Sequence, residues 1–275
     1  MDAETRRPEG WLSPCRDANL RALTAPAPSA PPGADDAAGV TVGEEQRPFW
    51  VKAFDVASVS ALVVLLALAV ARLLHVLGTV GVSWWVLSVA AVAAVLAADL
   101  VSGLVHWTCD RFFSETTPVI GRMLILPFRE HHRDPRAITR HGLFELCGNN
   151  ALAVLLPVAG VVVAGAPRPT ATSIAAHGFV IAFAAAVFAT NQLHKWAHAE
   201  RCAAPVRWLQ RARLILSPEV HDRHHRGDFS AGYCVTTGWL NPLLDAYRVL
   251  PRCEARLRTL DVSRPRLRLR SRRAS

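Results

Sequence analysis

The hydrophobic residues of this chain come in blocks, not in an even scatter. Three stretches, at residues 56–76, 82–105 and 151–166, are apolar and nearly free of charge, and a fourth runs from residue 174 to about 193. A helix rises about 1.5 Å per residue, so roughly 20 residues cross a hydrocarbon core about 30 Å thick. The pattern therefore predicts an all-α protein built on about four transmembrane helices. The third block is short and contains Pro157, so its helix must draw on flanking residues such as 146–150 or form a re-entrant pair with the fourth. The first block follows a segment rich in Ala, Pro and charge, which does not read as a cleaved signal peptide.

The flanks read differently. Residues 1–47 carry an Ala-Pro run and little apolar periodicity, so they cannot bury enough surface to offset the entropy of ordering, and a disordered cytoplasmic arm is expected there. Residues 48–252 form the expected membrane domain, and 253–275 a polybasic tail that touches anionic headgroups or is simply solvated.

Composition sharpens this picture. The chain is 51% hydrophobic yet carries 31 Lys and Arg against 22 Asp and Glu in 275 residues. A soluble domain this basic would point to nucleic acid, but here the basic residues lie between apolar blocks, which points to a membrane and to no nucleic-acid partner. The loop after the third block carries only Arg168, whereas residues 107–146 carry Arg111, Arg122, Arg129, Arg133, Arg136 and Arg140. Both termini and the long middle loop are therefore expected on the cytoplasmic side, with Arg72 snorkelling to the far interface. The Ala- and Arg-heavy composition fits a bacterial inner membrane. Cys15, Cys109, Cys147, Cys202, Cys234 and Cys253 form no CxxC pair, which argues against a thiolate zinc site or a disulfide framework.

With orientation assigned, the histidines fall on one face. His106 ends the second span, His131 and His132 sit in the middle loop, His194 and His198 end the fourth span, and His221, His224 and His225 follow it. Only His75 and His177 lie toward the other side, as packing or interface residues. His194 and His198 have the i, i+4 spacing that stacks two imidazoles on one helical side. Three imidazoles within five residues at 221–225 concentrate neutral nitrogen donors. In Arg129-Glu130-His131-His132, the adjacent histidines point about 100° apart on a helix, so they face different metals or lie on irregular backbone. His141 is a candidate addition to that cluster.

The second span places Asp99, Ser102, Gly103, His106 and Asp110 on one helical face. An ionisable residue such as Asp99 inside a span is costly, and it reads as a group that orients a ligand or bonds a neighbouring helix. Asp110, one turn beyond His106, reads as a ligand or as the partner of one. Imidazoles with at most one carboxylate suit zinc, copper, iron or nickel, so ligand type does not decide the metal. Number does: eight or nine imidazoles exceed any single ion and imply two metals. Two iron atoms at a membrane surface have a use, since activated dioxygen removes hydrogen from an unactivated C–H bond of a lipid chain, which side chains cannot do.

These motifs resemble the plasmanylethanolamine desaturase family, also called Kua, among the histidine-box membrane lipid desaturases and related to plastid desaturases that act on phosphatidylglycerol. The resemblance rests on Ala98 and Asp99 through Ser102 and Gly103 to His106 and Trp107, on Pro127-Phe-Arg-Glu-His-His132 with Asp134, Pro135 and Ala137 to His141, and on Thr190, Asn191 and Gln192 with His194, Lys195, Trp196 and His198. It continues through His221, His224 and His225 to Tyr233, Cys234 and Thr236 to Asn241. It implies a cytoplasmic histidine-rich diiron cap on the helix bundle, with His106, His131, His132, His194, His198, His221, His224 and His225 as ligands and catalytic residues. Asp110 joins the metal set, and Asp99, Glu130, His141 and Asn191 support it.

The implied reaction is oxygen-dependent formation of the vinyl ether of plasmalogens, between C1 and C2 of the sn-1 alkyl chain of an ether phospholipid. Val220 stands where some members carry another histidine, a feature shared with the plastid relatives. No dinucleotide fingerprint or haem motif is visible, so an external donor of the cytochrome b5 or ferredoxin type is expected, with O2 as co-substrate. Two other readings are a desaturase or hydroxylase of an ester-linked acyl chain, and a non-enzymatic metal transporter or sensor.

Overall fold

The computed structural model describes residues 48–81, 84–226 and 229–262, so the expected arm at 1–47 and the Arg-rich end of the tail lie outside the described residues. Helices α1 (Phe49–Thr79) and α2 (Trp84–Arg111) lead into a π-helical turn at Gly121–Ile125, then the short α3 (Leu126–Arg133) and α4 (Ala137–Arg140). Next come α5 (Leu143–Ala164), α6 (Ala171–His198), α7 (Ala204–Arg211), α8 (Pro218–His225), α9 (Asn241–Ala246) and α10 (Val249–Val262). No strand occurs among the described residues.

Helices α1, α2, α5 and α6, of 31, 28, 22 and 28 residues, are long and apolar enough to cross a membrane. Their outward faces carry apolar side chains such as Leu156 and Val163, 81% and 86% exposed, which only a hydrocarbon surrounding makes favourable. The third span runs as a single helix from residue 143, with Pro157 inside it, so the short apolar block is lengthened at its start and no re-entrant pair forms. It stops at Gly165, whose φ of 92° suits a residue without a Cβ. Thr170 then caps α6 by accepting from the Ser173 amide.

The bundle packs α1 on α5, α5 on α6, and α6 on α2. Leu62, Ala151, Val154, Val158, Ala98 and Ala184 fill its centre. The Arg72 guanidinium donates to the carbonyl of Val162, near the end of α5. That carbonyl belongs to the last turn of α5, where cations are favoured, and it also accepts from the Gly165 amide at 3.2 Å. Cys109, Cys147 and Cys234 are buried free thiols, used as small packing residues.

The ends of α2 and α6, the 112–142 connection and the segment after α6 all meet at one end of the bundle. Asp99 anchors this end. Its carboxylate accepts from the backbone N–H groups of Thr237, Gly238 and Leu240 at 2.8, 2.9 and 3.1 Å. It therefore holds a loop against α2 and bonds main-chain amides of that loop. Three amides on an irregular buried segment need acceptors, and a carboxylate supplies them. Ser102 Oγ accepts from the Val235 amide, and Thr190 bonds Thr236 from α6.

Candidate metal centre

Four helices contribute to the site. His106 and Asp110 come from α2, His131 and His132 from α3, His194 and His198 from α6, and His221, His224 and His225 from α8. Helix α8 starts where Ser217 accepts from the Val220 amide and Pro218 takes the first helical position, so the three histidines fall in its first two turns.

The imidazoles form two groups. His131, His194, His198, His221 and His225 make one, and His106, His131, His132 and His224 the other; within each, the ligand nitrogens lie within 4.8 Å of one another. His131 belongs to both. His131 and His132 lie on the regular α3, after the π-helical turn, so the two rings point in different directions: His132 faces the second group alone and His131 reaches both.

In the first group, His221 Nε2 lies 2.8 Å from His194 Nε2, 2.9 Å from His198 Nε2 and 3.1 Å from His225 Nε2. A neutral imidazole has one N–H and one lone pair, so hydrogen bonding cannot satisfy three nitrogens around a fourth. A shared ion can. At a metal–nitrogen bond of about 2.0–2.1 Å, two ligands at right angles sit about 3.0 Å apart, close to the spacings seen. The ring nitrogens His106 Nε2 and His131 Nε2 are buried with no hydrogen-bond partner, as expected of lone pairs reserved for a cation. The residues fit a metal centre.

The second group includes a carboxylate. Asp110 lies 3.1 Å from His132 Nε2, 3.5 Å from His106 Nε2 and 3.6 Å from His224 Nε2. Outside the spans, burial, assisted by the neighbouring imidazoles, pushes His131 and His221 well below the ordinary histidine range, and takes His225 down to about 3. These side chains are thus neutral at physiological pH, the form that ligates.

Two backbone carbonyls orient the second group. His106 Nδ1 donates to the Tyr233 carbonyl at 3.2 Å and His224 Nδ1 to the Ala231 carbonyl at 2.7 Å, which directs each Nε2 inward. Asn241 fixes the same loop by pairing with both the amide and the carbonyl of Cys234. The role of the 231–241 segment is not apparent from residue types, because it acts through main-chain oxygens that any sequence possesses.

The other candidates lie apart. His141 pairs with Glu145 at 3.1 Å and its carbonyl accepts from Lys195, outside both histidine groups. Glu130 sits half-buried on α3, also outside them. Asn191 donates to the Leu146 carbonyl at 2.7 Å and to Asn150, tying α6 to α5. His177 donates to the Ser173 carbonyl near the start of α6, away from the site.

Residues 95–268 match the lipid desaturase domain family. The chain belongs to that family. Across 196 residues, 71% of its own length and 69% of the relative's, this lipid desaturase is 41% identical to a protein of Myxococcus xanthus named plasmanylethanolamine desaturase. It is 38% identical to plasmanylethanolamine desaturase 1 of Mus musculus over 64% of its own length and 66% of the relative's. To the chloroplastic fatty acid desaturase 4 of Arabidopsis thaliana it is 34% identical over 61% of its length and 50% of that protein's. No solved structure matches the lipid desaturase. The histidine groups and the four apolar helices thus belong to a membrane oxidoreductase acting on lipid.

Proposed function

We propose that this lipid desaturase holds two iron ions and uses O2 to form the vinyl ether double bond between C1 and C2 of the sn-1 alkyl chain of an ether phospholipid. The observation that carries the reading is the pair of histidine groups joined at His131, with Asp110 beside the second. One group has more donors than a tetrahedral structural zinc requires, and two adjoining groups suit a pair of ions. His194, His198, His221 and His225 would hold one ion, His106, His132, His224 and Asp110 the other, and His131 would serve between them. When bound, the iron pair supplies the oxygen-dependent redox chemistry that removes hydrogen from an unactivated C–H bond.

The protein's own contribution is positional. The Tyr233 and Ala231 carbonyls keep the Nδ1 protons of His106 and His224, so their Nε2 lone pairs stay directed at the centre. Burial keeps His131 and His221 neutral. Electrons would come from an external carrier of the cytochrome b5 or ferredoxin type. The histidine end and both termini would face the cytoplasm of a bacterial inner membrane, with residues 48–252 as the desaturase domain between the 1–47 arm and the 253–275 tail.

The vinyl ether reading draws on the relatives named plasmanylethanolamine desaturase. A second reading, desaturation of an ester-linked acyl chain, is favoured by the Arabidopsis thaliana relative and by Val220 at the start of the last cluster. Expression in a host supplied with alkyl ether phospholipid separates the two. Acid-labile vinyl ethers releasing aldehydes are expected, and unsaturation confined to fatty acids would overturn the ether assignment. About two iron per purified chain are expected, whereas a single zinc would sink the diiron reading.

A further inference from the structure

Beside the histidine groups, where α2 leaves the bundle, lies a groove of about 600 Å³. Trp107 and Arg111 from α2, Ala231 and Tyr233 from the loop, and Arg248 and Arg258 at α10 line it. Asp245 and Glu254 are also in its wall. Both carboxylates have protein partners. Glu254 accepts from Arg111 at 2.8 and 3.1 Å and from Arg258 at 2.8 Å, and Asp245 accepts from the Gly232 amide at 3.2 Å. Three guanidiniums against two carboxylates leave the groove positive, and Glu254 fixes two of those guanidiniums in place. The indole N–H of Trp107, a side chain only 7% exposed, has no hydrogen-bond partner.

The groove also has a defined place against the bilayer. Leu100 and Leu104, 38% and 40% exposed, share a helical face with Trp107 and Arg111 at successive steps of four, three and four residues. This exposed apolar strip ends at Arg111 and at Trp107, which packs against Tyr233, Leu250 and Phe112 beside the groove. A lipid chain laid along Leu100 and Leu104 would bring its polar end to the groove. The chemistry is close by, since the Tyr233 ring is 5.6 Å from the His106 ring and 4.9 Å from the His224 ring.

We propose that this groove binds the phosphodiester of the phospholipid substrate, with Arg248 and Arg258 as its contacts. Guanidinium recognises phosphate oxygens through paired, charge-assisted hydrogen bonds. The inference rests on the reading of the substrate as a phospholipid. Only a glycerol and an ether oxygen separate the reacting carbon from the phosphate in that reading, so the headgroup site has to adjoin the centre.

The test uses the full-length, iron-loaded enzyme in neutral detergent with the variants Arg248→Asn and Arg258→Gln, singly and together. Asn tolerates the left-handed backbone that Arg248 adopts at φ 46°. The substrates are an alkyl-acyl phospholipid and the matching alkyl-acyl glycerol, which lacks phosphate. The double variant should lose about ten- to a hundredfold of the kcat/KM preference for the phospholipid, the scale of charge-assisted hydrogen bonds, mainly through KM. Lipid retained on the purified protein, measured by mass spectrometry, should shift from phospholipid toward glycerol lipid in parallel. An unchanged preference and unchanged retention overturn the proposal. So does a rise confined to the KM of the electron carrier, which would give the groove to an acidic protein instead. If the wild type proves to desaturate an acyl chain, the same comparison on that phospholipid still decides the groove, so the two readings fail separately.

Discussion

His131 is the residue on which the two histidine groups meet, and it is 3% exposed. Its removal should therefore be felt at both positions, whereas His132 or His225 each belongs to one group. In purified variants, His131→Ala is expected to retain less iron than either His132→Ala or His225→Ala; equal retention in all three would show that His131 is an ordinary member of one group. Asp99 acts at a distance through the loop it grips. Asp99→Asn removes the charge and turns part of the acceptor into a donor facing backbone N–H groups, so a loss of roughly 3 kcal/mol in unfolding free energy is expected. Iron content should fall with it, because the gripped loop carries the carbonyls that orient His106 and His224. A variant that melts like wild type with full iron would remove Asp99 from that role.

At the level of elements, close approach decides more than hydrophobicity. A Cβ on Gly148 would meet Asp55 Oδ1 at 2.2 Å and its Cβ at 2.9 Å, so α1 and α5 touch where α5 has no side chain. Gly148→Ala should separate the two helices and lower stability by about 1–3 kcal/mol, read as a drop in melting temperature in detergent. The apolar blocks made the four long helices legible, since runs of that length admit little else in a membrane. The true start of α5 at Leu143 was harder to see, because Glu145, Asn149 and Asn150 break the apolar run while leaving the helix intact. The π-helical turn at Gly121–Ile125 left no pattern at all, since one extra residue in a turn changes the backbone and not the composition.

For the whole molecule, the histidines carried most of the site, because imidazoles gathered at one end of a helix bundle have few other uses. Their division into two groups sharing His131 was not legible, as it depends on how α3 is set against α6 and α8 in space. Arg72 and Asp99 were both visible as charges out of place. Their partners, the Val162 carbonyl and three backbone amides, were hidden because main-chain groups look alike in any sequence. His141, just before α5, pairs with Glu145 in the first turn of that helix and lies outside both histidine groups, a placement that its position in the sequence does not reveal.

The centre is assembled across α2 and α6, two helices that traverse the bilayer side by side and each bring histidines at their ends. Their relative tilt is thus part of the geometry of the two histidine groups, and tilt is what a membrane changes when its thickness departs from the length of the helices. Turnover in nanodiscs of graded acyl-chain length should pass through a maximum and fall on both sides, with iron content unchanged near the optimum. An enzyme that alters the chains of its own solvent would then sense the bulk thickness of that solvent in the very helices that hold its reactive centre.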